Sequence, residues 1–250
     1  MNSSEQEAPG AATGAIIAVV GCDGSGKSTL TADLFARLSK MRKTEIVYLG
    51  QSSGNILLWI QGLPLIGNAI GRYLLRRSTR VHTKEDKATS QDFTTALVIY
   101  LLSRWRRHKF KRMVALARRG VIVIADRYPQ AEVPGFYFDG TGLTATEDTR
   151  GIVRWLAARE FRLYRKMASH LPALLIRLNI DAETAHARKP DHKLSMLQKK
   201  VSVIPTLNFN GAQILDLDGR TAYPQVLEAA LTRAYSAIGA TPDSDLPASS

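Results

Sequence analysis

Cysteine is almost absent from this chain, which contains a single one, Cys22, in 250 residues. One thiol excludes an internal disulfide and every zinc site that is built from several cysteines. No basic residue precedes the first apolar run, so the amino terminus lacks the pattern of a secretory signal peptide. Together these absences predict a protein of the reducing cytoplasm.

Acidic residues are too few to balance the basic ones. Asp and Glu total 22 against 34 Lys and Arg, which leaves a formal net charge of +12. A surplus of this sign favours an anionic partner, such as a polyphosphate, a nucleic acid or an anionic membrane surface. Charge alone does not choose among the three.

Long uncharged stretches are also rare, and the exception is Gln51–Gly71, which contains no charged residue. Four arginines follow it, and we treat residues 51–80 as one apolar and basic insertion: Arg72, Arg76, Arg77 and Arg80. Gly62 and Pro64 interrupt the apolar run and argue against a transmembrane helix. Two alternatives stay open. The insertion either contacts a membrane interface with its arginines at the headgroups, or packs on the domain or on a second subunit.

Apolar residues make up 45% of the chain, enough to bury the core of one large domain. The small and polar residues of 1–13 and 240–250 show no apolar periodicity and are predicted to be disordered tails. We therefore expect one domain over residues 14–239.

Apolar, β-branched runs alternate with longer stretches of helical periodicity. The predicted strands are Ala15–Val20, Glu45–Leu49, Val121–Ala125, Leu174–Ile180 and Gln213–Leu217. The predicted helices are Lys27–Lys40, part of Asn55–Arg77, Gln91–Arg119, Thr146–Ser169, Ala182 to about Val201, and Tyr223–Ile238. This alternation predicts a three-layer α/β fold, with a five-stranded parallel sheet covered by helices on both faces. Ligands of such sheets bind beyond the carboxyl ends of the strands.

The loop after the first strand matches the phosphate-binding P-loop. Residues 21–28 read Gly-Cys-Asp-Gly-Ser-Gly-Lys-Ser and stand between a predicted strand and a predicted helix. Such a loop directs backbone N–H groups at a phosphate chain, and the helix adds its positive amino terminus. Lys27 is predicted to reach the β- and γ-phosphates and Ser28 to ligate magnesium. The predicted nucleotide-binding residues are Gly21, Asp23, Gly24, Ser25, Gly26, Lys27, Ser28 and Thr29.

Two further motifs follow predicted strands. Asp126, directly after the third strand, can meet the magnesium held by Ser28, and Arg127 can hold a second phosphate by a bidentate contact. The structural alternative is that Asp126 caps a turn and Arg127 forms a surface pair. Asp23 is an acid inside a phosphate loop, which predicts contact with an acceptor hydroxyl unless it bonds only to local N–H groups.

Two basic segments are candidates for contact with an anion. Residues 181–200 include Arg188 and Lys189 and are predicted to form a lid that closes over the phosphates. A solvated helix face explains the same charge pattern equally well. Arg104–Arg112 combines basic and aromatic residues, but a helix spreads such side chains around its circumference. We therefore expect acceptor contact from one or two of them and no nucleic-acid partner.

Together these motifs resemble the thymidylate kinase family of P-loop nucleoside monophosphate kinases. The resemblance rests on the P-loop followed by Thr29, on Asp126-Arg127-Tyr128, on Ser103-Arg104-Trp105 and on the lid entry at Ile180–Arg188. It spans about Ala15–Ile238 and implies the P-loop kinase fold, with ATP and Mg²⁺ bound at the loop.

The resemblance also implies roles for single residues. Asp23 would face the acceptor sugar, Arg127 the acceptor phosphate and Arg104 the base. Since Gly24 and Ser25 stand where some members of the family place an arginine, catalytic positive charge would come from the lid. The implied catalytic residues are Lys27, Asp126, Arg127 and Arg188, and the implied metal ligands are Ser28 and Asp126.

The segment after the second strand departs from the family. Tyr48-Leu-Gly-Gln-Ser-Ser-Gly stands where the family carries Arg-Glu-Pro-Gly-Gly-Thr. We expect an ATP- and magnesium-dependent phosphotransferase with dTMP or a related nucleoside monophosphate as the favoured acceptor. A lipid or glycan acceptor at the membrane and a non-catalytic ATP-binding module are the alternatives, and a homodimer stays open.

Overall fold

The computed structural model describes residues 14–50, 93–145, 149 and 151–240. Its five strands form one sheet in the order β2-β3-β1-β4-β5, and all neighbouring strands run parallel. The strands are β1 (Ile16–Gly21), β2 (Thr44–Tyr48), β3 (Ile122–Asp126), β4 (Leu174–Asn179) and β5 (Ile214–Asp218). The predicted α/β fold with a five-stranded parallel sheet is confirmed.

Helices follow the strands in the expected alternation. They are α1 (Lys27–Met41), α2 (Phe93–Arg118), α3 (Gly151–Ala168), α4 (Ala182–Arg188), α5 (Leu194–Val203) and α6 (Tyr223–Ala237). Short 3₁₀ turns occur at Phe136–Phe138, Ile204–Thr206 and Phe209–Gly211.

The central strand β1 serves two cores. Ile17 and Val19 pack with side chains of α1 and α6, whereas Ile16, Ala18 and Val20 pack with side chains of α2 and α3. Successive side chains of a strand point to opposite faces of its sheet. Both faces of the sheet are therefore covered by helices, as the uninterrupted apolar runs predicted.

The prediction of a single helix from Ala182 to about Val201 is wrong, because α4 ends at Arg188 and α5 begins at Leu194. Pro190 explains the break. Proline has no N–H for the helical ladder and disfavours helical geometry in the residue before it. Lys189 accordingly has φ −140° and ψ 71°.

Several predictions fall on other parts of the chain. The tail at 1–13, the tail at 240–250 apart from its first residue, the insertion at 51–80 and the helix within Asn55–Arg77 lie outside the described residues. They stay predictions. None of the helices in the described ranges is both long enough and apolar enough to cross a bilayer.

Candidate nucleotide and acceptor site

The P-loop links β1 directly to α1. Gly26 precedes the first residue of α1 with φ 93° and adds no side-chain cap, which leaves the amino-terminal N–H groups open to a ligand. Gly24 has φ 84°, and a Cβ atom there would lie 2.7 Å from the carbonyl oxygen of Ala185. Only glycine fits this position, because both the left-handed backbone and the close approach of α4 exclude a side chain.

Lys27 is a buried cation at the start of α1. Its side chain is 7% exposed, and Nζ donates a hydrogen bond to the carbonyl oxygen of Cys22. Burial, and then the nearby charge of Arg127, lower the pKa of Lys27 to about 8. A phosphate at the loop would compensate this desolvated charge.

Asp23 connects the P-loop to two other elements. Its Oδ1 accepts a hydrogen bond of 2.9 Å from Arg127, and its Oδ2 accepts one from Lys200 of α5. His192 Nδ1 lies 3.8 Å from the same Oδ2. Burial favours the neutral carboxyl, but Lys200, Lys27 and Arg127 hold the pKa of Asp23 well below its usual value. Asp23 is therefore an ionised carboxylate among cations.

Arg127 lies between two carboxylates. It follows β3 with φ 72°, and its Nη1 lies 3.6 Å from Oδ2 of Asp139, which itself has φ 61°. Burial disfavours the guanidinium charge, but Asp139 and Asp23 raise the pKa of Arg127 above its usual value. The pair of left-handed residues directs Arg127 and Asp139 toward each other across the strand ends.

The charged cluster continues into the interior of the α2–α3 layer. Arg106 of α2 is 1% exposed, and its Nη2 donates to Oδ1 of Asp139 at 2.9 Å. Its Nη1 lies 3.4 Å from the hydroxyl of Tyr164 in α3. Cations and carboxylates thus alternate from Lys200 through Asp23, Arg127 and Asp139 to Arg106, and we refer to these five residues as the charge chain.

Asp126 ends β3 with one buried carboxylate oxygen that has no hydrogen-bond partner among the described residues. This oxygen is Oδ1, and Asp126 pairs in the sheet with Val19 of β1, two residues before the P-loop. Burial raises the pKa of Asp126, although Lys27 and Arg127 act in the opposite sense. Ser28 in the first turn of α1 is exposed.

These residues fit magnesium. No group of three or more His, Cys, Asp or Glu side chains that could enclose a metal occurs within the described ranges. Magnesium is usually held by one or two protein oxygens together with waters and substrate phosphates. The uncompensated oxygen of Asp126 and the open hydroxyl of Ser28 are such a donor set.

Arg188 lies over the P-loop from the end of α4. Its Nη1 donates to the carbonyl oxygens of Gly219 at 3.0 Å and Gly24 at 3.4 Å. It therefore joins the turn after β5 to the loop after β1. A cleft of about 380 Å³ lies at the same edge of the sheet, lined by Asn179, Ile180, Asp181, Asp216, Asp218 and Arg220.

The structure brings most of the expected site residues to one edge of the sheet, but Arg104 is on the exposed side of α2. Arg106, two positions later, occupies the interior instead. Sequence reasoning missed Arg106, Asp139 and Lys200. Arg106 had a detectable signal, because it lies three or four positions from buried apolar residues of α2, whereas Asp139 stands in a loop without periodicity.

Lys109 of α2 was part of the basic segment and reaches the end of β2. Its Nζ lies 5.3 Å from the centroid of the Tyr48 ring and 3.4 Å from the carbonyl oxygen of Gly50. Burial, and then the charge of Arg106, lower the pKa of Lys109 to about 8. A second desolvated cation therefore faces the strand ends beside the charge chain.

No protein-family model matches this chain. Among curated proteins, one similar to it is YghS of Escherichia coli strain K12, named an uncharacterized ATP-binding protein. It is 54% identical over 223 residues, which cover 89% of this chain and 93% of YghS. YghR of the same strain, also named an uncharacterized ATP-binding protein, is 45% identical over 215 residues, covering 86% of this chain and 84% of YghR. YghR of E. coli O6:H1 strain CFT073 gives the same values.

Proposed function

This chain belongs to the protein family of YghS and YghR, and from this premise we propose that it is an ATP- and magnesium-dependent phosphotransferase. The names of both relatives state that they bind ATP. The observation that carries the proposal is the pairing of a buried ammonium, Lys27, with the unpartnered carboxylate oxygen of Asp126 at the same strand ends. The ammonium suits a phosphate, and the carboxylate oxygen suits a metal ion.

Nucleotide binding uses the loop and the first turn of α1. Backbone N–H groups of residues 24–29 and the ammonium of Lys27 would bind the phosphates, and Ser28 and Asp126 would hold the magnesium ion. When bound, the ion would supply positive charge beside the phosphate oxygens. Binding would add to the charges of Asp23 and Asp126, which do not offset the burial of the Lys27 ammonium in the free protein.

Arg188 supports the nucleotide from the opposite side. Its guanidinium spans from Gly24 of the P-loop to Gly219 after β5, and the neighbours of Gly219, Asp218 and Arg220, line the cleft. The cleft is large enough for a base and a sugar. A guanidinium can stack on a base or stabilise charge on the transferred group, and either contact favours catalysis by position and electrostatics.

The acceptor side is formed by Asp23, Arg127 and Lys200. Arg127 and Lys200 are the cations closest to the P-loop carboxylate, and both can contact an acceptor phosphate while Asp23 contacts a sugar hydroxyl. Together with the resemblance to thymidylate kinases, this arrangement favours a nucleoside monophosphate as acceptor.

A hydroxyl acceptor, as in a lipid or a glycan, is the second candidate. Arg127 already faces two carboxylates, Asp23 and Asp139, so its charge is largely compensated before any phosphate arrives. Asp126 retains a buried oxygen that can accept the proton of an attacking alcohol. A phosphate acceptor therefore requires Arg127 to bind the phosphate, whereas a hydroxyl acceptor leaves Arg127 paired with Asp23 and Asp139.

The test measures ADP formation from Mg-ATP by the purified chain with dTMP, the other nucleoside monophosphates and a membrane-lipid extract. Lys27→Ala is the inactive control, and Lys40→Ala, exposed on the same helix, is the matched control that should keep full activity. Turnover with a nucleoside monophosphate that requires Lys27 supports the proposal. Turnover with lipid alone selects the second candidate. ATP binding that requires Lys27 without turnover on any acceptor would overturn the assignment as a kinase.

A further inference from the structure

The outer sides of α2 and α3 form a basic surface. Phe110 and Met113 of α2 share one core with Tyr164 and Met167 of α3, so both helices cover the same face of the sheet. Helix α2 contains no acidic residue, and the acidic residue of α3, Glu160, is buried. Every exposed charge on these two helices is therefore basic.

Helix α3 adds large apolar side chains to this side. Ile152, Trp155 and Phe161 are 52%, 50% and 45% exposed. The guanidinium carbon of Arg159 lies 4.3 Å from the centroid of the Trp155 ring, and that of Arg165 lies 6.0 Å from the Phe161 ring. The Trp155 ring and the Arg159 guanidinium thus share one exposed surface with Ile152, whereas Phe161 and Arg165 form a separate pair on another side of the helix.

The spacing along α3 makes this surface continuous. Residues three or four positions apart lie on one side of a helix, so Trp155, Arg159, Arg162 and Lys166 follow one another along its length. All four are exposed. The opposite side of α3 carries the buried residues of the core.

Helix α2 adds one exposed apolar side chain at the end of the layer where α3 begins. Ser103 and Arg106 of α2 contact Glu160 and Tyr164 of α3, so the two helices run in the same direction. Phe93, the first residue of α2 and 43% exposed, is therefore at the same end of the layer as the exposed apolar residues of the first turns of α3.

We propose that the outer side of α3, defined by Ile152, Trp155, Arg159, Arg162 and Lys166, docks on an anionic lipid surface. A helix with this composition lies in the plane of a membrane interface, with its apolar side chains at the level of the acyl boundary. Arginine stems follow apolar surface while their guanidinium groups contact lipid phosphates. Tryptophan is favoured at the same depth.

The charges disfavour a second copy as the occupant. A two-fold contact would place the same basic side chains opposite each other, and α3 offers no exposed carboxylate to pair with them. Nucleic acid satisfies the charge but leaves Ile152 without a favourable environment, since a phosphate backbone offers no apolar contact. Lipid satisfies both the arginines and the aliphatic side chain.

The first test is flotation of the full chain with vesicles of phosphatidylcholine, alone or with 30% phosphatidylglycerol. We expect binding to the anionic vesicles only, and its loss at high salt. The variant Trp155→Ala/Arg159→Gln/Arg162→Gln should bind at least tenfold more weakly, because each arginine near the surface contributes about a factor of five. The matched control Phe35→Ala/Arg37→Gln/Lys40→Gln also replaces one aromatic and two basic residues, on α1 across the sheet, and should bind like the original chain.

The second test reports on Trp155 itself. The chain has 3 tryptophans, so Trp59→Phe/Trp105→Phe leaves Trp155 as the sole emitter. Anionic vesicles should shift its emission to shorter wavelength and shield it from acrylamide. Vesicle binding that survives the α3 substitutions, or an unchanged Trp155 emission, overturns the proposal. Duplex RNA binding that is lost in the α3 variant while vesicle binding is retained would assign the surface to nucleic acid instead. Circular dichroism of both variants excludes misfolding as the cause.

Discussion

Replacing Lys27 by methionine should abolish nucleotide binding and, at neutral pH, stabilise the fold. The side chain is buried, and burial followed by the charge of Arg127 lowers the pKa of Lys27 from 10.5 to about 8. The difference between these two pKa values means that folding disfavours the ammonium form of Lys27 by about 3 kcal/mol. Methionine has a similar length and no charge, so it removes this cost.

Methionine also removes the hydrogen bond from Lys27 to the carbonyl oxygen of Cys22. A neutral hydrogen bond contributes about 1 kcal/mol to stability. The variant should therefore be more stable than the original chain by about 2 kcal/mol at pH 7.

The gain should depend on pH with a definite sign. As pH rises above 8 the folded chain releases the Lys27 proton, whereas the unfolded chain keeps it until about 10.5. The unfolded state then binds more protons, so the original chain becomes more stable with rising pH and the variant lacks this contribution. The advantage of the variant should fall by about 2 kcal/mol, and so to about zero, by pH 9.5. Lys109 titrates alike in both chains, so its contribution cancels from the difference between their free energies of unfolding.

Urea unfolding followed by circular dichroism, without nucleotide, measures both values. Lys40→Met, on the exposed side of the same helix, is the matched control and should change stability little at either pH. A variant that is less stable at pH 7, or an advantage that does not change with pH, would refute the view that burial of the P-loop lysine outweighs the charges of Asp23 and Asp126 beside it.

Three further outcomes can be measured. Arg106→Lys loses the planar contact with Asp139 in the interior and should lower the free energy of unfolding by about 3 kcal/mol, whereas Arg104→Lys on the exposed side should stay within about 0.5 kcal/mol, as urea titration will show. Equal effects would contradict the placement of the two arginines. Gly24→Ala places a Cβ atom 2.7 Å from the carbonyl oxygen of Ala185 at φ 84°, so calorimetry should show at least about tenfold weaker ATP binding. Mg-ATP at a hundred times its Kd should raise the free energy of unfolding by about 2.7 kcal/mol, and no rise would count against ATP as ligand.

The strands and the P-loop could be predicted because their signals are local. Each strand is a short apolar run bounded by turn residues, and the P-loop is contiguous in sequence. Its position between β1 and α1 follows from the same stretch of chain. Parallel strands end at one edge, and Asp126 and Arg127 at the end of β3 accordingly lie close enough to Lys27 to influence its pKa.

The sequence also indicates which side of α2 is buried, although the predictions above did not take this into account. Buried residues of this helix recur every three or four positions at Ile99, Ser103, Arg106, Phe110 and Met113. A charged residue in that series must point into the protein. The resemblance to thymidylate kinases drew attention to Arg104 on the exposed side of α2, although the periodicity indicates Arg106 in the interior.

The rest of the site could not be inferred from a single sequence, because its partners are distant along the chain. Asp139 and Arg106 are 33 positions apart, Arg127 and Asp23 are 104 apart, and Lys200 and Asp23 are 177 apart. No local sequence pattern around any of these residues predicts which residue it contacts. Each charge is nevertheless constrained by the others, since a buried charge that loses its partner retains the full cost of its desolvation. Loss of any one member of the charge chain would therefore leave its neighbour uncompensated, and only the folded arrangement shows that a carboxylate of the P-loop and an arginine of α2 belong to one electrostatic unit.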